Sequence, residues 1–229
     1  MILPAAVIVL AKAPEPGRVK TRLCPPLDPA QAAALAEAAL ADTLAAVAAT
    51  PASRRVVALD GRPGAWLPPG FEVVAQPDGG LDVRLAAAFE AVEGPALLVG
   101  MDTPQLTPAL LRAGTVALAT DGCHGVLGPA RDGGYWAIGL RRPRRAVFEG
   151  VPMSTPWTAR AQRLRLRSLG LDWAELPPLR DVDGVDDART VATRCRGSRF
   201  AAKLEAIELE LARAAASCRG LTRAAVAGS

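Results

Sequence analysis

Short apolar runs rich in β-branched residues recur along this chain, separated by Ala- and Leu-rich stretches that open on helix start signals. The first run, Ala6-Val-Ile-Val-Leu-Ala11, is continuous rather than alternating, the pattern of a strand buried on both faces. Asp28-Pro29 then opens a helix to about Ala49, with Asp28 as cap and Pro29 at the first helical position. Further strands are predicted at Arg55–Asp60, Phe71–Ala75, Ala96–Asp102, Gly125–Gly128, Tyr135–Leu140 and Trp173–Leu176. Helices are predicted at Asp82–Val92, from Thr107-Pro108 to Ala119, at Pro156–Leu169, from Asp186, and from Ser198 to Ala216. Strand and helix alternate with no internal repeat and no long linker, so the fold class is α/β, with a mainly parallel sheet flanked by helices. In such sheets ligands bind at the carboxyl ends of strands, near a topological switch point.

Composition narrows the partners. A chain of 229 residues, half of them hydrophobic, suits one large domain. No apolar run reaches the ~18 residues that would cross a bilayer, and no membrane is expected as a partner. The start, Met1 to Leu10, has neither a basic leader region nor a small-residue cleavage pattern, so it reads as a strand rather than a signal peptide. Cys24, Cys123, Cys195 and Cys218 have no metal-ligand spacing, and a reduced, cytoplasmic setting is expected. Net charge is +4, and basic residues are scattered apart from Arg141-Arg142 and Arg144-Arg145. Aromatics make up only 4% of the chain, so nucleic acid is not expected as a partner.

Four segments carry candidate chemistry. The loop after the first strand holds Lys12, Arg18, Lys20 and Arg22, with Gly17 among them. Two of the chain's three lysines fall in it. Four cations so close together would repel unless an anion sat among them, and polyphosphate suits both guanidinium forks and ammonium point charges. The loop fits neither the P-loop nor the dinucleotide-binding pattern. In Gly100-Met-Asp102-Thr-Pro104 a carboxylate closes a buried strand, well placed for Mg²⁺. The alternative role for Asp102, capping the next helix, falls equally to Thr103 or Thr107. Asp132-Gly133-Gly134 reads as a hairpin turn, or as a turn whose glycines let a substrate approach the backbone beside Arg131, Tyr135 and Trp136. In Asp181-Val-Asp183-Gly-Val-Asp186-Asp187 the last two carboxylates suit a helix N-terminus, leaving Asp181 and Asp183 as metal candidates.

Absences exclude rivals. The single histidine, His124, is expected to be structural, and no positioned base for a Ser or Cys hydrolase is evident. There is no His/Cys cluster for zinc. What remains is chemistry done by positioning and electrostatics on a phosphoryl group.

Taken together, Ala11–Leu23, Gly100-Met-Asp-Thr-Pro104, Gly128–Gly139 and Asp181-Val-Asp183 resemble the DUF2064 family. That family belongs to the GT-A, nucleotide-diphosphosugar transferase-like superfamily and includes a group associated with arsenosugar biosynthesis. The chain is also similar to phospholactate guanylyltransferases and molybdenum-cofactor nucleotidyltransferases. The resemblance covers about Ala6 to Val191. It implies a single GT-A-like (Rossmann-like) domain over residues 1–196; beyond the matched region the residues themselves read as a helical extension at 197–219 and a disordered tail at 220–229.

The same resemblance makes Asp102 and Asp183 the ligands of Mg²⁺ or Mn²⁺. It places Lys20 and Arg22 on nucleotide phosphates within a nucleotide-binding set that also takes in Ala11, Lys12, Gly17 and Arg18. Gln76 to Arg84 falls where base contacts are expected, and Asp132, Gly133, Gly134, Ser154 and Thr155 fall on the acceptor side. Met153 stands where relatives carry a Trp.

The favoured reading is nucleotidyl transfer from an NTP to a small phosphorylated acceptor, with release of pyrophosphate and with Lys20, Arg22 and Asp102 as catalytic residues. A four-cation loop suits a triphosphate better than an NDP-sugar. The alternatives are a GT-A glycosyltransferase using an NDP-sugar, with Asp132 as base, and a nucleotide-binding domain without turnover. A monomer or a homodimer is expected.

Overall fold

The computed structural model describes residues 5–227, with side chains described as far as residue 217. Its strands are β1 (Ala6–Lys12), β2 (Arg55–Asp60), β3 (Glu72–Ala75), β4 (Ala96–Gly100), β5 (Gly125–Pro129), β6 (Tyr135–Leu140) and β7 (Trp173–Glu175). They form one sheet in the order β3-β2-β1-β4-β6-β5-β7. Every neighbouring pair is parallel except those made by β6, which runs antiparallel to both β4 and β5. The helices are α1 (Pro29–Ala48), α2 (Leu81–Glu90), α3 (Pro108–Ala119), α4 (Thr158–Ser168), α5 (Val185–Arg194) and α6 (Arg199–Ala227). Two short 3-10 turns, Thr21–Leu23 and Arg145–Val147, were not foreseen from the sequence.

The continuous apolar run of β1 feeds two cores at once. Val7, Val9 and Ala11 pack with α1 and α3 on one face, while Ala6 and Ile8 pack with Leu85 and Phe89 of α2 on the other. Side chains alternate across a strand, so a strand covered on both faces must be apolar at every position.

Helix α1 starts where Asp28-Pro29 predicts. Asp28 accepts a hydrogen bond from the Gln31 backbone N–H at 2.8 Å, and Gln31 reaches back to the Asp28 N–H at 3.1 Å. Its other side meets α5 and α6 in a third cluster with Leu35, Val191, Phe200 and Leu204. Among the described residues α1 is the one helix long and apolar enough to cross a bilayer by length and composition, though Gln31, Glu37 and Asp42 interrupt its apolar run, and most of it is buried in the fold. Covering on two sides by sheet and helices accounts for that apolarity. Leu40 is fully buried there, and cutting it to Ala would cost about 2–5 kcal/mol.

Asp42 of α1 accepts from the backbone N–H groups of Arg199 (3.1 Å) and Phe200 (2.8 Å), capping α6 from a neighbouring helix. Helix α6 continues past residue 216, where the sequence reading ends it, through the expected tail to Ala227. Residues 228 and 229 lie outside the described residues.

Candidate active site

Strands β1, β2 and β4 end on the same side of the sheet, and their last residues assemble the site. The chain leaves β1 through α1 to β2 on one flank and returns to β4 on the other, which makes the β1–β4 boundary the switch point.

At the end of β2 stands Asp60, which the sequence reading passed over. It receives Lys12 (3.4 Å), Arg18 (3.7 Å) and Arg84 (3.2 Å). Arg18 also pairs with Glu15 at 2.9 Å, and Arg84 donates to the Gly79 carbonyl at 3.1 Å. Gln76 donates its amide to the carbonyls of Ala11 and Ala58, both at 2.8 Å, tying the ends of β1 and β2 together. Its carbonyl oxygen takes no part in either bond. The backbone N–H of Lys12 points to the Met101 sulfur at 3.1 Å, linking β1 to the β4 end.

Further along the loop, Gly17 adopts φ +75° and Lys20 the left-handed φ of 51°. That conformation is uncommon for a residue with a side chain and persists only where surroundings enforce it. Here the Lys20 ammonium meets Asp102 Oδ1 at 2.7 Å and donates to the Val182 carbonyl, and its side chain is only 9% exposed. Arg22, 78% exposed, reaches Asp183 Oδ2 at 3.1 Å. The four loop cations therefore do not stand unbalanced, as expected from the sequence. Each has a carboxylate partner brought from a distant part of the chain.

Asp102 is free for this role because α3 is capped by Thr107, whose hydroxyl accepts from the Leu110 N–H at 3.3 Å. The Asp102 carbonyl accepts from the Val182 N–H at 3.2 Å, fixing segment 181–183 against the β4 end. Asp186 and Asp187 occupy the first turn of α5 as expected, and Asp187 also pairs with Arg180 at 2.7 Å. Asp181 is the most perturbed carboxyl here, pushed up to about 7. Burial is the main cause, followed by the negative charges of Asp102 and Asp132, with Lys20 partly offsetting them.

The Asp132-Gly133-Gly134 turn connects β5 and β6 as a hairpin, and Asp132 Oδ1 accepts from the Gly134 N–H at 2.8 Å. Gly133 has φ +94°, and a Cβ placed there would lie 2.0 Å from the Pro156 carbonyl oxygen. Its own carbonyl accepts from the Ala159 N–H at 2.9 Å. Contact with the segment leading into α4 thus by itself requires a glycine here. Docking this turn on segment 154–156 brings Ser154 and Thr155 beside Asp132. Trp136 is 2% exposed and donates to the Pro177 carbonyl at 3.0 Å, so it belongs to the core. Met153 packs in the second core cluster near the Tyr135 hydroxyl, 3.7 Å from its sulfur. Burial pushes the Tyr135 phenol up.

Three hollows open on this edge, and Asp102 lines all of them. One of about 300 Å³ runs along Lys12, Asp60, Gln76, Arg84, Leu81 and Leu85. Another of about 290 Å³ lies over Arg18, Lys20, Arg22 and Asp183. The largest, about 530 Å³, is bounded by Arg22, Asp132, Ser154, Thr155, Asp181 and Asp183. All the predicted site residues except Gly17 and Gly133 line one of the three.

Among the described residues no group of three acidic, His or Cys side chains already converges on a metal. Two carboxylates completed by substrate phosphates and water are nonetheless what Mg²⁺ accepts. Asp102, Asp132 and Asp183 also gather around the hollow that Asp181 lines, a concentration of carboxylates that a cation would relieve. The donor set therefore fits a divalent ion that the substrate completes.

The chain matches the model of a family described as an uncharacterized protein conserved in bacteria (DUF2064) over residues 31–155. That span holds Asp60, Asp102 and the Asp132 turn; the Lys12–Arg22 loop and Asp183 lie outside it. A 2-phospho-L-lactate guanylyltransferase from Natrialba magadii is 34% identical over 140 residues, 54% of this chain and 58% of that protein, so the match spans little more than half its length. A candidate nucleotide-diphospho-sugar transferase from Desulfovibrio desulfuricans G20 is similar at TM-score 0.81 and 25% identity, covering 93% of this chain and 98% of that one. Rv0371c from Mycobacterium tuberculosis H37Rv, crystallised in complex with manganese, shares the fold at TM-score 0.55 and 20% identity, covering 83% of this chain and 98% of that one.

Proposed function

Starting from a chain that belongs to the DUF2064 family, we propose that it is a transferase that moves a nucleotidyl group from a nucleoside triphosphate to a small phosphorylated acceptor. The observation that carries this reading is the division of charge at the strand ends. Lys12, Arg18 and Arg84 converge on Asp60, with Arg18 also meeting Glu15, while Asp102, Asp132, Asp181 and Asp183 gather around the neighbouring hollow.

A triphosphate lies along the cationic side, with its base beside Gln76 and the apolar wall of Leu81 and Leu85. An acceptor phosphate oxygen attacks the α-phosphorus, the bond between the α-phosphorus and the α,β-bridging oxygen breaks, and pyrophosphate leaves with that oxygen. Lys20 and Arg22 stabilise the charge that grows on the leaving group, an effect realised most fully in the transition state. Asp102 and Asp183 would hold Mg²⁺ or Mn²⁺, which supplies charge neutralisation at the reacting phosphates. Asp132, Ser154 and Thr155 face the acceptor. Because carboxylates dominate that hollow, acceptor binding depends on the cation held there. The reaction belongs in the cytoplasm, where its nucleotide is made.

The guanylyltransferase relative supports this reading, since its name specifies nucleotidyl transfer. A second reading, glycosyl transfer from an NDP-sugar, draws on the near full-length likeness to the Desulfovibrio desulfuricans protein. Incubation with each NTP, Mg²⁺ and a panel of phosphorylated acceptors, followed by pyrophosphate assay, separates them. Pyrophosphate release is expected. Release of NDP from an NDP-sugar without pyrophosphate from any NTP would overturn the proposal in favour of glycosyl transfer.

A further inference from the structure

The basic doublets at residues 141–145 take no part in the site above. Strand β6 runs antiparallel to β4, with Leu140 opposite Ala96. Its far end therefore lies at the amino edge of β4, whereas Asp102 follows the carboxyl edge. Four residue steps of strand separate these edges, roughly 13 Å, with further distance to each side chain.

At that far edge His124, Arg141, Arg142, Arg144 and Leu171 line a hollow of about 200 Å³. No carboxylate lines it. The nearby ones are Asp121, 3.5 Å from Arg141, and Asp172, 4.0 Å from the His124 ring, and both are almost fully exposed. Among the described residues neither Arg142 nor Arg144 has an acidic partner.

Arg141 is already fixed. It donates to the carbonyls of Leu118 (2.9 Å) and Thr120 (2.8 Å), so its guanidinium stands in place without a ligand. The histidine is oriented too. The Asp172 backbone N–H donates to His124 Nδ1 at 3.1 Å, which leaves the ring's own N–H on Nε2. The lining is thus a set of side-chain donors, two of them held before any ligand arrives, and prior ordering lowers the cost of binding.

We propose that this hollow is a second anion site, separate from the strand-end site, that takes a phosphate group. Guanidinium forks and an imidazole N–H match the several acceptor oxygens of a phosphoryl anion better than a single carboxylate. The volume accommodates inorganic phosphate or pyrophosphate whole, or the end of a nucleotide's phosphate chain.

His124 is the chain's only histidine, so it reports on this hollow alone. The ring C2–H proton of the untagged protein is followed by NMR during titration with inorganic phosphate, pyrophosphate and GTP. A saturable shift is expected, weakened about tenfold or more in Arg142→Gln/Arg144→Gln. Both positions are exposed, so the fold should survive, and retained thermal stability checks this. If pyrophosphate acts at lower concentration than GTP, the ligand is the free anion; the reverse order identifies a nucleotide tail. A signal that none of the three moves, or a shift unchanged in the double variant, overturns the proposal. Loss of activity at the strand-end site leaves this readout untouched, so failure of the two proposals is distinguishable.

Discussion

Asp60 and Asp181 are the same residue type on two sides of one site, and they sit in opposite fields. Asp60 is surrounded by Lys12, Arg18 and Arg84. Asp181 is partly buried near Asp102, Asp132 and Asp183, with Lys20 partly offsetting them, and its pKa is pushed up to about 7. On the first side the surplus charge is positive and an anion is wanted; on the second it is negative and a cation is wanted. Lys20, tied to Asp102, stands at the border between the two.

The largest effect should come from that border. Lys20→Ala is expected to lower kcat/KM for pyrophosphate release by about 10²–10³-fold. Arg18→Ala, 55% exposed and shared between Glu15 and Asp60, should cost less than about tenfold. Equal effects of the two substitutions would break the distinction between border and rim.

Next in size is the turn that closes the acidic side. Gly133→Ala forces a Cβ into the Pro156 carbonyl at an unfavourable φ, and should destabilise the protein by about 2–4 kcal/mol in denaturant unfolding. Nucleotide affinity should hold in the folded fraction, because Gly133 lies on the acceptor side. A weakened nucleotide Kd with unchanged stability would show that the two sides are not separate.

The smallest effect is a pH dependence without metal. The folded-state pKa of Asp181 is raised above its ordinary value of 3.8, so between about pH 4 and pH 7 the folded state binds more protons than the unfolded one. The contribution of Asp181 to stability therefore falls as pH rises through that window. Asp181→Asn should be more stable than the parent at pH 8, with the advantage shrinking toward pH 5, as followed by thermal unfolding in EDTA. An advantage independent of pH would remove the acidic field from the comparison.

Much of this was legible in residue order. The β-branched run at Ala6, the Asp28-Pro29 and Thr107-Pro108 starts and the Asp-Gly-Gly hairpin are local signals, and they mark the elements to within a few residues. Lys20, Arg22, Asp102 and Asp183 were legible as candidates from their strand-end positions, and they line one hollow. Asp60 was not. It reads as the ordinary end of a strand, and its three cations come from the end of β1, the loop after it and α2, so its role exists only once β2 lies beside β1. The pairing of Lys20 with Asp102 likewise depends on β1 lying beside β4. The contact of Gly133 with Pro156 was not legible either, since no local signal places that segment against the turn. The continuation of α6 past residue 216 was missed because Gly220 onward reads as a frayed tail, yet the helix runs into it as far as Ala227.

The central claim is that one side of the site takes the anion and the other the metal. Calorimetric titration of an NTP, with and without Mg²⁺, into the parent and into Asp102→Asn and Asp183→Asn tests it most directly. Both variants should lose the tightening that Mg²⁺ gives the parent while still binding the metal-free nucleotide through Lys12, Arg18 and Arg84. Metal-dependent binding that survives both substitutions would contradict the claim.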